Sequence, residues 1–217
     1  MIEAAVPWLS SACLLEIGCG VGRYVEKLGG MTKLTVGLEY EPERARAAEK
    51  RLPGGVVNAA AEDLPFVDGA FDVVLSNEVI EHVDDDVRAA REMVRVLAKG
   101  GRIVLFCPNR WYPVEQHGVY WRGQYRFGNI PFVNYLPDQL RDRLAPHVRT
   151  YTARSLRRLF IGLPVREVSH ARVFGGYDNI AARFGRPGTV LRDALHRAEG
   201  TPFDVLGLSH LLVLERV

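Results

Sequence analysis

The chain has 217 residues, 47% of them apolar, with 28 basic and 26 acidic side chains and a formal charge of +2. That length and apolar content suit one domain, residues 1–217, with a sizeable core, and the near-neutral balance gives no global argument for a nucleic-acid partner. Its three cysteines, Cys13, Cys19 and Cys107, form no Cys-x-x-Cys pair, so neither zinc nor a disulfide framework is indicated. With no basic-then-apolar leader and no apolar run long enough to span a bilayer, a soluble, cytoplasmic protein is expected.

Residues 1–12 allow one short helix, over 3–9, ahead of the first strand. The run Leu14-Leu15-Glu16-Ile17 then meets glycines at alternate positions, Gly18, Gly20 and Gly22, and a stretch over 24–28 able to start a helix. A buried strand feeding a tight glycine turn and a helix is the entry to a doubly wound α/β sheet. Glycine serves such a turn because the chain must visit positive φ and a ligand must approach the backbone. The helix N-terminus offers unpaired N–H groups to an anionic ligand end, a phosphate or a carboxylate. A dinucleotide fingerprint would put its third glycine on Arg23, so the spacing speaks against NAD.

The second strand, over 34–39, ends on Glu39, whose carboxylate can accept from both hydroxyls of a ribose. Pro42 opens an amphipathic helix over 42–51, stopped by Pro53-Gly54-Gly55. A short third strand over 56–58 leads to a loop over 59–66. The turn Asp68-Gly69 then precedes an apolar fourth strand over 71–76. Beyond it Glu78, Glu81 and His82 stand at i, i+3, i+4. If 77–83 is helical they share one face, and two carboxylates with an imidazole suit a divalent cation. Asp84-Asp85-Asp86 reads as a solvated helix start, 87–97 as a helix closed by Lys99-Gly100-Gly101, and 102–107 as the fifth strand.

Residues 109–150 break the alternation with prolines, arginines and eight large aromatics: Trp111, Tyr112, Tyr120, Trp121, Tyr125, Phe127, Phe132 and Tyr135. An aromatic-rich insertion of this length after strand five reads as an acceptor-binding cap, with many of its aromatics forming a small core of their own. Order returns with a helix over 152–161, a sixth strand over 165–173, a broken helical stretch over 177–199 and a last strand over 208–214.

Leu15-Glu16-Ile17-Gly18-Cys19-Gly20-Val21-Gly22 resembles the first motif of the class I S-adenosylmethionine-dependent methyltransferases, and the chain is similar to their type-11 family. The resemblance implies a Rossmann-like, doubly wound, mostly parallel seven-stranded sheet and S-adenosylmethionine as cofactor. It implies that Glu39 holds the ribose, and that 59–66 is the adenine loop, with Asp63 accepting from the exocyclic amine. Glu16, Gly18, Cys19, Gly20, Gly22, Glu39, Tyr40, Ala61, Glu62, Asp63 and Asn77 are the cofactor residues it points to, with Cys19 a small filler rather than a reactive thiol. Members of the family usually carry more chain ahead of the first strand, so the cover over the site is left to a later segment.

Strand four lacks the Asn/Asp-Pro-Pro-aromatic motif of amino-methyltransferases, which argues against methylation of adenine N6 or glutamine N5. Glu78-x-x-Glu81-His82 resembles the metal site of ubiquinone-biosynthesis catechol O-methyltransferases and small-RNA 2′-O-methyltransferases. A similar Glu-His-Val also occurs in members without a known metal, and the reading taken here is metal-free. Residues 108–118 resemble a segment of some type-11 members, and place His117 in a loop near the chemistry. The activity implied is methyl transfer to a small-molecule or lipid-like acceptor, O-methylation favoured. His82 and His117 are the candidate bases, since histidine titrates near neutrality. An RNA-modifying enzyme or a non-catalytic nucleic-acid-binding module is the alternative, and 130–133 is a stretch able to touch a membrane.

Overall fold

The computed structural model describes residues 1–175 and 185–217. The chain divides into two compact units, one of Met1–Phe106, Arg157–Ser169 and Leu212–Val217, the other of Cys107–Leu156 and His170–Leu211. The expected aromatic insertion over 109–150 falls in the second.

The sheet has seven strands: β1 (Cys13–Ile17), β2 (Leu34–Glu39), β3 (Val56–Asn58), β4 (Phe71–Asn77), β5 (Leu97–Pro108), β10 (Val165–Val173) and β11 (Ser209–Arg216), in the order β10-β11-β5-β4-β1-β2-β3. β1 runs parallel to β2 and β4, β2 to β3, and β4 to β5. This is the mostly parallel, doubly wound sheet the sequence implied. Its central strands are continuous apolar runs because both faces are covered. Leu14, Leu15, Val73, Val74, Ile103, Val104 and Leu105 are all fully buried. Each such side chain contributes roughly 1.5–3 kcal/mol of transfer free energy.

Helix α1 (Ile2–Ala5) is shorter than the helix expected over 3–9, and a separate 3₁₀ turn occupies Leu9–Ser11. Helices α2 (Arg23–Gly29) and α3 (Pro42–Glu49) lie where expected, α3 with its proline in the first turn. Asp85 caps α4 (Asp86–Val96), accepting from the Arg88 N–H at 2.9 Å. The expected closure of α4 at Lys99-Gly100-Gly101 does not occur. Leu97 is already extended, and pairing in β5 steps from Phe71–Leu97 to Val73–Arg102. The two glycines sit in that irregularity. Gly100 has φ +74, and a Cβ on Gly101 would lie 2.7 Å from the Asp72 carbonyl oxygen.

In the second unit, β6 (Val114–Glu115) pairs antiparallel with β9 (Ile130–Pro131), and β7 (Val119–Trp121) with β8 (Gln124–Arg126). α5 covers Asp138–Leu144. Thr152 and Ser155 exchange hydrogen bonds, N–H to hydroxyl in each direction at 2.9 and 3.1 Å, and so start α6 (Ala153–Arg158). The helix expected to reach residue 161 stops at Arg158, and i to i+3 bonds tighten the turns beyond it. Of the helical stretch expected over 177–199, residues 177–184 lie outside the described residues, and α7 covers Arg186–Ala198. The last strand is displaced slightly, to Ser209–Arg216.

Candidate cofactor site

A cavity of about 910 Å³ opens in the first unit at the carboxyl ends of β1 and β2, within the size range of small-molecule sites. The glycine turn forms one wall. Gly18 has φ +69 and Gly20 φ +57, a region closed to most side chains at low cost. A Cβ on Gly18 would collide with Val79 Cγ2, whereas one on Gly20 would meet no atom within 4 Å. Gly18 is thus required by packing, and Gly20 leaves room beside a ligand. The N–H groups of Gly18 and Cys19 donate to the Leu38 carbonyl at 2.7 and 3.0 Å, which ties the turn to the tip of β2.

Glu39 ends β2 and is 6% exposed. One of its carboxylate oxygens accepts from the Gly20 N–H at 2.8 Å and the other from the Glu41 N–H at 2.9 Å. Each oxygen keeps further lone-pair capacity, so the carboxylate can also accept from a vicinal diol. Asn58 holds this tip from behind, donating to the Glu39 and Tyr40 carbonyls at 2.7 and 2.8 Å. Turn, acid and strand tip therefore form one preset cradle. The carboxylate acceptor and the space beside Gly20 fit an adenosyl group.

Among the residues chosen from sequence, Gly18, Gly20, Glu39, Tyr40, Ala61, Glu62, Asp63 and His82 line this cavity, while Glu16, Cys19, Gly22 and Asn77 lie outside its lining. Gly22 presses on Ala48, whose Cα a Cβ would meet at 2.8 Å. Cys19 packs beneath Gly37, and its thiol is pushed up to about 12 by burial first and then by the Glu16 and Glu39 charges. Burial of this kind disfavours the thiolate, the nucleophilic form. Glu62 works through the backbone: one carboxylate oxygen accepts from the N–H groups of Asp84 and Asp85 at 2.8 and 3.4 Å. That pins the 82–85 segment, which also lines the cavity, as does Arg88 of α4. Sequence reading assigned no such role to Asp84, Asp85 or Arg88. The acidic run following the fourth strand was the available signal.

Residues 77–83 are not helical, which corrects the face-sharing expected of Glu78, Glu81 and His82. Glu78 takes φ +55 and the chain turns there. Glu78 and His82 still reach the cavity wall, whereas Glu81 is 1% exposed. Burial and then the neighbouring Glu78 carboxylate hold Glu81 well above the usual carboxylate range. His82 Nε2 lies 3.8 Å from a Glu81 oxygen.

Glu16 is a second buried carboxyl, 2% exposed, and burial raises it to about 7. Because the folded chain holds this proton more tightly than the unfolded chain, stability is greatest below pH 4.5 and falls as pH rises towards 7. At pH 8 the cost is about 3 kcal/mol. Glu16→Gln is expected to raise stability by up to that amount at pH 8, with little change at pH 4, in urea titrations at the two pH values.

In the second unit His117 is tethered to Glu115, whose Oε1 lies 2.9 Å from the His117 N–H and 3.1 Å from Nδ1. The other oxygen of Glu115 pairs with Arg141 at 3.0 Å, both side chains being 1% exposed. His147 Nε2 lies 3.1 Å from the His117 carbonyl, and Tyr125 donates to the same oxygen. A further pair went unread in the sequence. His170 Nε2 lies 3.0 Å from His210 Nδ1, and His210 Nε2 lies 2.8 Å from the Tyr151 carbonyl oxygen.

The methyltransferase-domain family model matches residues 15–105. A probable S-adenosylmethionine-dependent methyltransferase of Mycobacterium tuberculosis is 31% identical over 109 residues, half of this chain and 40% of that protein. Norajmaline N-methyltransferase of Rauvolfia serpentina is 38% identical over 104 residues, 42% of this chain and 34% of that one. The chain spans under half the length of the curated relatives it matches. A solved S-adenosylmethionine-dependent methyltransferase from Mesorhizobium loti shares the fold, with TM-score 0.70 at 19% identity over 99% of this chain and 95% of that one. Residues 15–105 thus match the methyltransferase-domain family, and the chain shares the fold of a solved S-adenosylmethionine-dependent methyltransferase.

Proposed function

We propose that the chain transfers a methyl group from S-adenosylmethionine to a small-molecule or lipid-like acceptor, with oxygen the favoured acceptor atom. The observation that carries this is the Glu39–Gly20 clasp, a carboxylate preset by two backbone N–H groups on the wall of a cavity large enough for the cofactor. When bound, the cofactor supplies a methyl carbon already activated by its sulfonium. The chain's own contribution is placement. Glu39 accepts from the ribose hydroxyls, the Gly18–Gly22 turn lets the ligand approach the backbone, and Asp63 and Ala61 present the adenine edge with polar groups. Glu62 keeps the 82–85 wall in place. Proximity and in-line orientation then supply most of the acceleration.

A base is needed only for an acceptor that must lose a proton. His82, on the cavity wall, is the proposed base. His117 is the second candidate, its ring oriented by Glu115. His82→Ala is expected to lower kcat by roughly 10²–10⁴ with a hydroxyl acceptor while leaving cofactor affinity within a few-fold. An effect of that size from His117→Ala, with His82→Ala silent, reassigns the role.

Isotope-labelled S-adenosylmethionine offered with panels of phenols, alcohols, amines and lipids tests the reaction itself. Label transferred to a hydroxyl of a small or lipid-like acceptor supports it. Tight NAD binding, or no response to S-adenosylmethionine in calorimetry, overturns it. Turnover is expected to persist in excess chelator. Loss of turnover restored by added divalent cation would instead assign Glu78, Glu81 and His82 to a metal.

A further inference from the structure

We propose that the β7–β8 hairpin of the second unit, with Phe127 beside it, is a docking surface for an anionic lipid bilayer. The hairpin pairs Val119 with Arg126, Tyr120 with Tyr125 and Trp121 with Gln124. Directly opposed residues share a face, so the two tyrosines lie on one side and Trp121 and Arg126 on the other. The tyrosine side packs on His147. The two rings stand 5.3 Å apart, each meets the His147 ring edge-on at 5.7 or 5.4 Å, and the Tyr125 hydroxyl donates to the His117 carbonyl. Packing on the hairpin's own unit is made by these tyrosines, which stay partly exposed, and by Val119, buried at the open end of the other side. Trp121 and Phe127 remain 51% and 80% exposed.

The turn carries a second indication. Arg122 and Gly123 join the strands with φ +51 and +77, the two-residue geometry that favours asparagine or glycine at its first position. An arginine there opposes the backbone preference, and side chains held in such conformations concentrate at functional sites. The hairpin therefore exposes Trp121 and Arg122 at its turn and Arg126 and Phe127 towards its open end, none of them engaged in the tyrosine packing.

Charge selects the partner. Residues 107–156 contain seven arginines and three carboxylates. All three carboxylates are paired: Glu115 with Arg141 at 3.0 Å, Asp138 with Arg110 at 2.8 Å and Asp142 with Arg141 at 3.6 Å. Arg122, Arg126, Arg143 and Arg154 are exposed and make no ion pair among the described residues. Exposed aromatics on one hairpin with the uncompensated Arg122 and Arg126 match the headgroup level of an anionic leaflet. There aromatic rings settle at the interface and each basic residue adds electrostatic attraction. A long polyanion such as RNA needs an extended positive track, and a chain of formal charge +2 with a single aromatic ribbon end is a poorer match.

The inference does not depend on methyl transfer, and the test uses the full chain without cofactor. Flotation is measured with vesicles of phosphatidylcholine alone and of phosphatidylcholine doped with phosphatidylglycerol, with single-stranded RNA binding measured in parallel. The chain is expected to float with the anionic vesicles, less at high salt, and not with the neutral ones. Trp121→Ser/Phe127→Ser is expected to abolish flotation. Arg122→Gly/Arg126→Ser is expected to weaken it roughly tenfold or more. Because Arg122→Gly relieves the turn, its thermal midpoint should hold or rise while vesicle binding falls, a split that a merely structural role would not produce. No flotation with phosphatidylglycerol vesicles, or variants that float like the parent, overturns the proposal. So does RNA binding that the same variants abolish in the absence of vesicle binding, which would assign the hairpin to nucleic acid.

Discussion

Glu39→Ala is expected to lower S-adenosylmethionine affinity by roughly a hundredfold to a thousandfold in calorimetric titration, because the proposed function gives this carboxylate two charge-assisted hydrogen bonds to the ribose. The wild-type carboxylate is already held by the N–H groups of Gly20 and Glu41, so it enters the complex without reorganising. Alanine removes the acceptor and also leaves those two N–H groups without it, loosening the turn that shapes the wall. Glu39→Gln separates the contributions. Its one carbonyl oxygen can keep one backbone contact, so the fold at the β2 tip should survive while ribose binding weakens. Affinity within a few-fold of wild type in Glu39→Ala would remove the ribose role from this residue.

This part of the site was legible because its signal is local. Three glycines at alternate positions and an acid at the next strand tip are separated by one helix, and parallel pairing of β1 with β2 brings them together. The stretch 77–83 misled for the same reason. Val79, Ile80 and Val83 supply helical spacing, and no residue in it announces a break. The turn comes from Glu78 in a left-handed conformation, which short-range propensity does not encode. Lys99-Gly100-Gly101 misled likewise, because glycine after a periodic run usually ends a helix. Here Gly101 is required by the close approach of the Asp72 carbonyl from the neighbouring strand. The His170–His210 contact joins residues 40 apart that meet only once β10 lies beside β11. Glu115 and Arg141, 26 residues apart, carried no local sign of their pairing.

That pair is where the largest stability effect is expected. Arg141 is buried with each part of its guanidinium engaged: Nη2 with Glu115 at 3.0 Å, Nη1 with the Val148 carbonyl at 2.8 Å, and Nε with the Asn134 side-chain oxygen at 3.4 Å. Removing one partner leaves a buried charge uncompensated, which costs about 3–5 kcal/mol. Arg141→Met and Glu115→Leu should each lower second-unit stability by that amount in denaturant titrations. The double variant should recover much of the loss, because a well-packed apolar pair avoids the desolvation that both ions suffer. Acid should act through the same pair. Burial alone would raise the Glu115 carboxyl, but hydrogen bonds from His117 and the Arg141 charge outweigh it and hold the group below its ordinary value. The folded chain therefore binds this proton less tightly than the unfolded chain. The stability it contributes is complete above pH 4.5, the ordinary glutamate value, and is lost as pH falls through the lowered one. Glu16 works in the opposite direction, so Glu16→Gln should leave the acid limb intact while Glu115→Leu/Arg141→Met flattens it. An acid limb unchanged in the double variant would show that the ion pair is not what acid disrupts.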